Sequence, residues 1–93
     1  MTRPKCDYNV DFCPKYKDFK PQGVKGKAQF VELSTVEAEA LRLKNLENLD
    51  QTKAAKHMKV SQSTFQRVLT SAYKKVSEAL IYGKSIKIIE RKE

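Results

Sequence analysis

The stretch Gln51-Thr52-Lys53-Ala54-Ala55-Lys56-His57-Met58-Lys59-Val60-Ser61-Gln62-Ser63-Thr64-Phe65-Gln66-Arg67-Val68-Leu69 decides the fold. Asp50 offers an N-cap just before it, since a side-chain oxygen there accepts from free N–H groups of the first helical turn. Ala54, Ala55 and Met58 then give a short helix whose small residues permit close approach of a neighbour. Ser61 is the next cap. Beyond it Phe65, Val68, Leu69, Ala72, Val76, Ala79 and Leu80 recur at the spacing of one helical face, and Gly83 closes the run. The pattern predicts helices over 51–58 and 62–82, parted only by Lys59-Val60-Ser61, with Val60 plugging the crossing.

Upstream, Ser34 or Thr35 followed by Glu37 fits an N-cap with acids in the first turn, and Val36, Ala40, Leu43 and Leu46 predict a helix over about 35–46. Glu37 and Glu39 stand two apart, hence on different faces, and read as first-turn acids. Gln29 to Leu33 alternates Phe30 and Glu32 against Val31 and Leu33, and Ser85-Ile86-Lys87-Ile88 repeats the alternation. Pairing these two as short strands would give each a partner and shield its edge. Residues 1–28 hold Pro4, Pro14 and Pro21 among Tyr8, Phe12, Tyr16 and Phe19. Prolines at that density remove backbone donors and forbid a helix, so the arm is extended or irregular, its aromatics covering the outside of the first or third helix. The expected fold is mainly α: a three-helix domain over 29–93, an irregular arm over 1–28 and a short β pairing.

With 93 residues, one domain is the default, and a deep cleft between lobes is out of reach. No apolar run approaches the roughly 20 residues needed to cross a bilayer, and Met1-Thr2-Arg3-Pro4 lacks a signal-peptide pattern, which predicts a soluble cytoplasmic protein. The net charge of +8 points to an anionic partner, because Lys and Arg that neutralise phosphates release condensed counterions. The surplus sits in the arm, with seven basic and three acidic side chains, and in 61–84, with four basic against one acidic.

A short helix with paired alanines, a tight turn with a Ser cap and a longer amphipathic helix form the layout of a helix-turn-helix of the winged-helix-like DNA-binding class. With Phe65, Val68, Leu69, Ala72 and Val76 facing inward, Ser63, Arg67, Thr70 and Lys74 point away from the core. Gln66 lies on the flank, and Gln62 is accessible in the first turn. These side chains suit a major groove, where Gln pairs with adenine, Arg with guanine and Ser with either. Lys53, Lys59, Thr64 and Lys74 are the candidate phosphate contacts, with Lys75 beside Lys74, and the basic arm has a second reading beside the structural one, lying along the DNA backbone or entering the minor groove.

The motifs Glu39-Ala40-Leu41-Arg42-Leu43, Gln51-Thr52-Lys53-Ala54-Ala55, Met58-Lys59-Val60-Ser61, Thr64-Phe65, Arg67 and Lys75-Val76 closely resemble a small uncharacterised family of bacterial and archaeal predicted DNA-binding proteins. The resemblance extends into the arm through Arg3-Pro4, Cys6, Pro14, Phe19, Pro21 and Gly23-Val24. That family's helix-turn-helix is similar to region four of the primary sigma factors. The resemblance implies that Gln62, Ser63, Gln66 and Arg67 occupy the positions that read base edges or adjacent phosphates. The family commonly has Arg after the capping Ser; Gln62 stands here, which bears on target sequence and affinity.

The expected function is sequence-specific binding of double-stranded DNA, as a transcriptional regulator. One recognition helix reads few base pairs, so a homodimer on a split site is expected, with Ile81, Ile86, Ile88 and Ile89 as its surface, and contact with RNA polymerase is a further expectation. Two rivals differ in class. A protein-interaction adaptor would use the apolar C-terminus and depend on Ile86 or Ile88. A binder of RNA or single strands would stack bases on Tyr8, Tyr16 or Phe19 of the basic arm. No cofactor is expected. Six residues separate Cys6 from Cys13, longer than zinc-finger spacing, and idle thiols are the plainer reading than a metal or redox site. His57 falls in the last turn of its helix, where a partial positive charge suits the dipole. No nucleophile pairing, glycine-rich phosphate loop or paired-carboxylate motif points to an enzyme.

Overall fold

The chain runs β1 (Asp18–Phe19), β2 (Phe30–Ser34), α1 (Thr35–Leu41), a π-helical turn (Arg42–Leu46), α2 (Gln51–Met58), α3 (Gln62–Tyr82) and β3 (Ser85–Ile89). The computed structural model describes residues 10, 14–23 and 29–90. Three helices and a three-stranded sheet make this a mixed α and β domain, where the sequence predicted a mainly α one. The two expected strands do pair. β3 is central, parallel to β2 with Val31 opposite Ile86 and Leu33 opposite Ile88, and antiparallel to β1 with Phe19 opposite Ile86. β1 was not foreseen. It is two residues long and extends the sheet through the arm's backbone, Ile88 N–H donating to the Lys17 carbonyl at 2.8 Å.

Each helix starts at a side-chain cap. Ser34 caps α1 in a reciprocal box: its hydroxyl accepts from the Glu37 N–H at 3.1 Å while its own N–H donates to Glu37 Oε1 at 2.9 Å. Asp50 caps α2 by accepting from the Lys53 N–H at 2.8 Å, and Ser61 caps α3 by accepting from the Thr64 N–H at 3.1 Å. α2 and α3 keep the predicted bounds. The first helix does not: α geometry ends at Leu41, and a wider turn follows in which the Glu47 N–H donates to the Arg42 carbonyl. Asn48 then takes the left-handed conformation (φ 59°), which Asn tolerates better than most residues, and redirects the chain toward the Asp50 cap.

Two apolar clusters hold the domain. The larger joins all three helices through Val36, Ala40, Leu43, Ala54, Ala55, Met58, Phe65, Val68 and Leu69, with Val60 of the turn packed against it as expected. The smaller fastens the sheet, with Leu33, Ala38 and Ala72 buried against Ile86 and Ile88. Alternation along β2 and β3 puts Leu33, Ile86 and Ile88 inward and leaves Phe30, Glu32 and Lys87 outward, where the Lys87 ammonium sits 4.3 Å over the Phe30 ring.

Three sequence expectations are corrected here. Leu80, assigned to the inward stripe of the last helix, is 75% exposed, because the core ends at Ala79. Tyr16 and Phe19 stay exposed and do not cover a helix; within the described part of the arm it is Pro14 that is buried and Val10 that packs on the helical core. Tyr8, Phe12, Cys6 and Cys13 lie outside the described residues. Glu39, read with Glu37 as a first-turn acid, lies beyond the first turn and is fully buried, where Arg42 meets it with two bonds, Nε to Oε1 at 2.8 Å and a terminal guanidinium nitrogen to Oε2 at 3.0 Å. Two parallel charge-assisted bonds satisfy a carboxylate that burial alone would make costly.

Candidate nucleic-acid interface

α2 and α3 meet at a turn built by main-chain geometry. Lys59 takes the left-handed conformation (φ 60°) and its N–H closes on Ala55 and Lys56, while the Val60 N–H donates to the Ala55 carbonyl at 3.0 Å. Fully buried Ala54 and nearly buried Ala55 leave room for α3 to pass close by, and Phe65 fills the space beneath. This arrangement fixes which side of α3 remains outside.

All four candidate base-reading residues stand on that outside. Gln62, Ser63, Gln66 and Arg67 are exposed within the first two turns of α3. Arg67 is exposed, and no hydrogen bond or ion pair joins it to another described residue. Thr70 and Lys74 continue the same exposed stripe. Of the candidate phosphate contacts, Lys53 in α2, Lys59 in the turn and Lys74 in α3 are exposed. Thr64 is half-buried, and its hydroxyl accepts from the capping Ser61 at 3.0 Å. Ser63 shares that cap, 3.2 Å from the Ser61 hydroxyl. Lys75, grouped with Lys74 as a phosphate contact, faces inward instead and binds Glu37 Oε1 at 2.9 Å. It is a tie between α3 and α1, not part of the outer stripe.

The sequence reading missed two side chains of α2 that touch this stripe. Thr52 Oγ1 accepts from Gln62 Nε2 at 2.8 Å, and Gln51 Nε2 donates to Gln66 Oε1. Gln66 Nε2 in turn donates to Thr70 Oγ1 at 3.1 Å. Partners ten and fifteen positions apart leave no local signature; only the crossing of α2 over α3 brings them together.

Behind the stripe, Glu37 anchors α3. Ser71 Oγ donates to Glu37 Oε2, Lys75 Nζ and the Ser34 N–H to Oε1. Burial works against its ionisation, but the bonds from Ser71, Ser34 and Lys75 and the Lys75 charge outweigh it and hold the carboxyl below its ordinary range. At the far end of α3, Gly83 takes the left-handed C-cap (φ 68°), and Lys84 folds back onto Glu78 at 2.5 Å, which lowers the Glu78 pKa through that bond and its charge. Leu80, Ile81 and Tyr82 stay exposed there, whereas Ile86 and Ile88, assigned to the same outer surface, are half-buried against the sheet's own cluster. His57 occupies the last turn of α2, half-buried. Among the described residues no cluster of His, Cys, Asp and Glu is placed to hold a metal ion. No helix of the described residues is long and apolar enough to cross a membrane.

The family model described as "Protein of unknown function DUF134" matches residues 1–93. A UPF0251 protein of Prosthecochloris aestuarii is 49% identical over 87 residues, covering 92% of this chain and 56% of the relative. One from Halothermothrix orenii is 46% identical over 88 residues, covering 94% of this chain and 65% of the relative. One from Dehalococcoides mccartyi is 45% identical over 89 residues, covering 95% and 76%. The chain thus spans 56% and 65% of the lengths of the first two. No solved structure matches. With its whole described length matched by the family model, the chain belongs to this family of proteins of unknown function.

Proposed function

We propose that the protein binds double-stranded DNA sequence-specifically through a helix-turn-helix formed by α2 and α3, and acts as a transcriptional regulator. The observation that carries this reading is the exposed polar face of Gln62, Ser63, Gln66 and Arg67 on the first half of α3, flanked by exposed Lys53, Lys59 and Lys74. With that half of α3 in the major groove, Arg67 addresses guanine, the glutamines adenine and Ser63 either base. The lysines neutralise phosphates on either side, and Thr64 keeps its hydroxyl proton for a phosphate oxygen. Similarity of these positions to sigma region four supports the same docking, and a role on chromosomal DNA implies a cytoplasmic protein.

A two-fold dimer on a split site completes the proposal, since one recognition helix spans few base pairs. Leu80, Ile81 and Tyr82, at 75%, 75% and 72% exposure, supply its apolar surface in place of Ile86 and Ile88. The same patch favours a second reading, an adaptor that docks RNA polymerase or another protein and carries its charge incidentally.

Selection of bound sequences from a random duplex library, with Arg67→Ala in parallel and affinity for the winner followed against salt, tests the proposal. An inverted-repeat motif lost in the variant, with roughly one unit of salt slope per phosphate contact, supports it. Weak, purely salt-sensitive binding without enrichment overturns it and favours the adaptor.

A further inference from the structure

We infer that Gln51 and Thr52, the first two residues of α2, are positioning residues for base recognition: by gripping Gln66 and Gln62 they decide which bases α3 accepts. This rests on the reading of α3 as the base-reading helix.

A glutamine carboxamide carries two N–H donors and an oxygen with two lone pairs. Adenine offers the groove an N6 donor and an N7 acceptor, so a glutamine that reads it must bring one free lone pair and one free N–H side by side. Gln66 is arranged for this. Gln51 occupies one lone pair of its oxygen and Thr70 takes one of its N–H groups. What remains is one lone pair and one N–H, the complement of adenine. Gln62 gives one N–H to Thr52, and among the described residues nothing takes its other N–H or its oxygen, which are left to a ligand.

Both glutamines are exposed, and among the described residues these are the hydrogen bonds that hold their amides. An unheld glutamine at the end of three rotatable bonds loses that freedom on binding, and its amide can turn to meet other base edges. Held from α2, it enters the groove already oriented. Base preference is therefore encoded on two helices, by residues that need touch no DNA themselves. Because none of the three bonds is buried, removing one changes recognition and leaves the core intact.

The duplex-library selection, repeated with Gln51→Ala, Thr52→Val and Thr52→Ser on the full chain, tests this. Thr52→Val keeps the branched shape and removes the hydroxyl; Thr52→Ser keeps the hydroxyl. The expected result is that Thr52→Val flattens one base position of each half-site and Gln51→Ala another. Affinity for the wild-type winner falls about three- to tenfold, the worth of one hydrogen bond. Affinity for random duplex and the salt slope stay unchanged, since no phosphate contact is lost. Thr52→Ser restores the wild-type motif. A wild-type motif that survives intact in Gln51→Ala and Thr52→Val overturns the inference and leaves the base-reading proposal standing. Absence of any wild-type motif removes both, a different outcome on the same gel. In the DNA-free protein, side-chain amide relaxation of Gln62 and Gln66 should rise in mobility only in the variant lacking each one's partner.

Discussion

Lys75 Nζ lies 2.9 Å from Glu37 Oε1, joining the second half of α3 to the first turn of α1 across 38 positions of chain. The same carboxylate closes the Ser34 cap and accepts from Ser71, so one side chain starts α1 and fixes the orientation of α3 behind its exposed stripe.

Replacing that carboxylate removes several bonds at once. Glu37→Ala should destabilise the domain by about 2 kcal/mol, because Ser71, Lys75 and the Ser34 N–H lose their acceptor together. Thermal unfolding followed by circular dichroism should fall by roughly 10 °C. Lys75→Met should cost less, since the Lys75 side chain is 37% exposed and water can take over part of its role.

Glu37 also dictates an acid response. Its native carboxyl titrates below the ordinary glutamate range, so the unfolded chain binds a proton more readily than the native one. The resulting stabilisation is complete above the unfolded value and is lost as pH falls through the lower native value. Urea denaturation across acid pH should therefore show the gap between wild type and Glu37→Gln closing in that window, while other carboxylates cancel in the comparison.

Lys59 separates folding from binding. A lysine in the left-handed conformation costs energy that glycine does not, so Lys59→Gly should stabilise the fold by about 0.5 kcal/mol. If Lys59 meets a phosphate as proposed, the variant that melts higher should also bind DNA more weakly, with its salt slope reduced by about one unit.

Ser61 separates them differently. Ser61→Ala should cost about 1 kcal/mol by uncapping α3. Ser61→Asp keeps a capping oxygen and suits the helix dipole, so its unfolding midpoint should stay at or above wild type. Its negative charge at the proposed groove-facing end should cut affinity for any duplex by about tenfold at low salt. Equal DNA binding by Ser61→Asp and wild type would place the duplex elsewhere.

The exposed end of α3 provides the test of assembly. Ile81→Lys introduces a charge where no core contact is lost, so the monomer fold should persist while light scattering reports the loss of the proposed dimer.

Legibility in the sequence followed the range of the interactions. Helix starts at Ser34, Asp50 and Ser61 and the end at Gly83 are written in adjacent residues, and so were readable. The β2 and β3 pairing was readable because alternation is local and each segment needs a partner. β1 was not, since two residues held by backbone bonds show no alternation. The wide turn over Arg42–Leu46 carries mostly helix-forming residues, so its local sequence does not mark the departure from α geometry. Burial of Glu39 depends on Arg42, a contact the spacing permits but hydrophobic patterning hides. At the candidate site, exposure of Gln62, Gln66 and Arg67 followed from the apolar stripe opposite them. The grips from Gln51 and Thr52 depend on how α2 crosses α3, and no periodicity encodes a crossing.

The parallel pairing of β2 with β3 encloses all three helices between neighbouring strands, Phe30 opposite Ser85 at one end and Ser34 opposite Ile89 at the other. Such a closure cannot form until the chain between the strands has collapsed, because the entropy of bringing distant ends together is met by few contacts until then. The sheet should therefore be the last part to assemble and the first to open. α3 belongs to both regimes: Phe65, Val68 and Leu69 are locked into the three-helix cluster, while Ala72 packs in the smaller cluster against the sheet. Amide hydrogen exchange along this one helix should divide into two classes, with slow exchange through Leu69 and faster exchange toward Tyr82. The half that meets the proposed duplex stays rigid while the other half breathes.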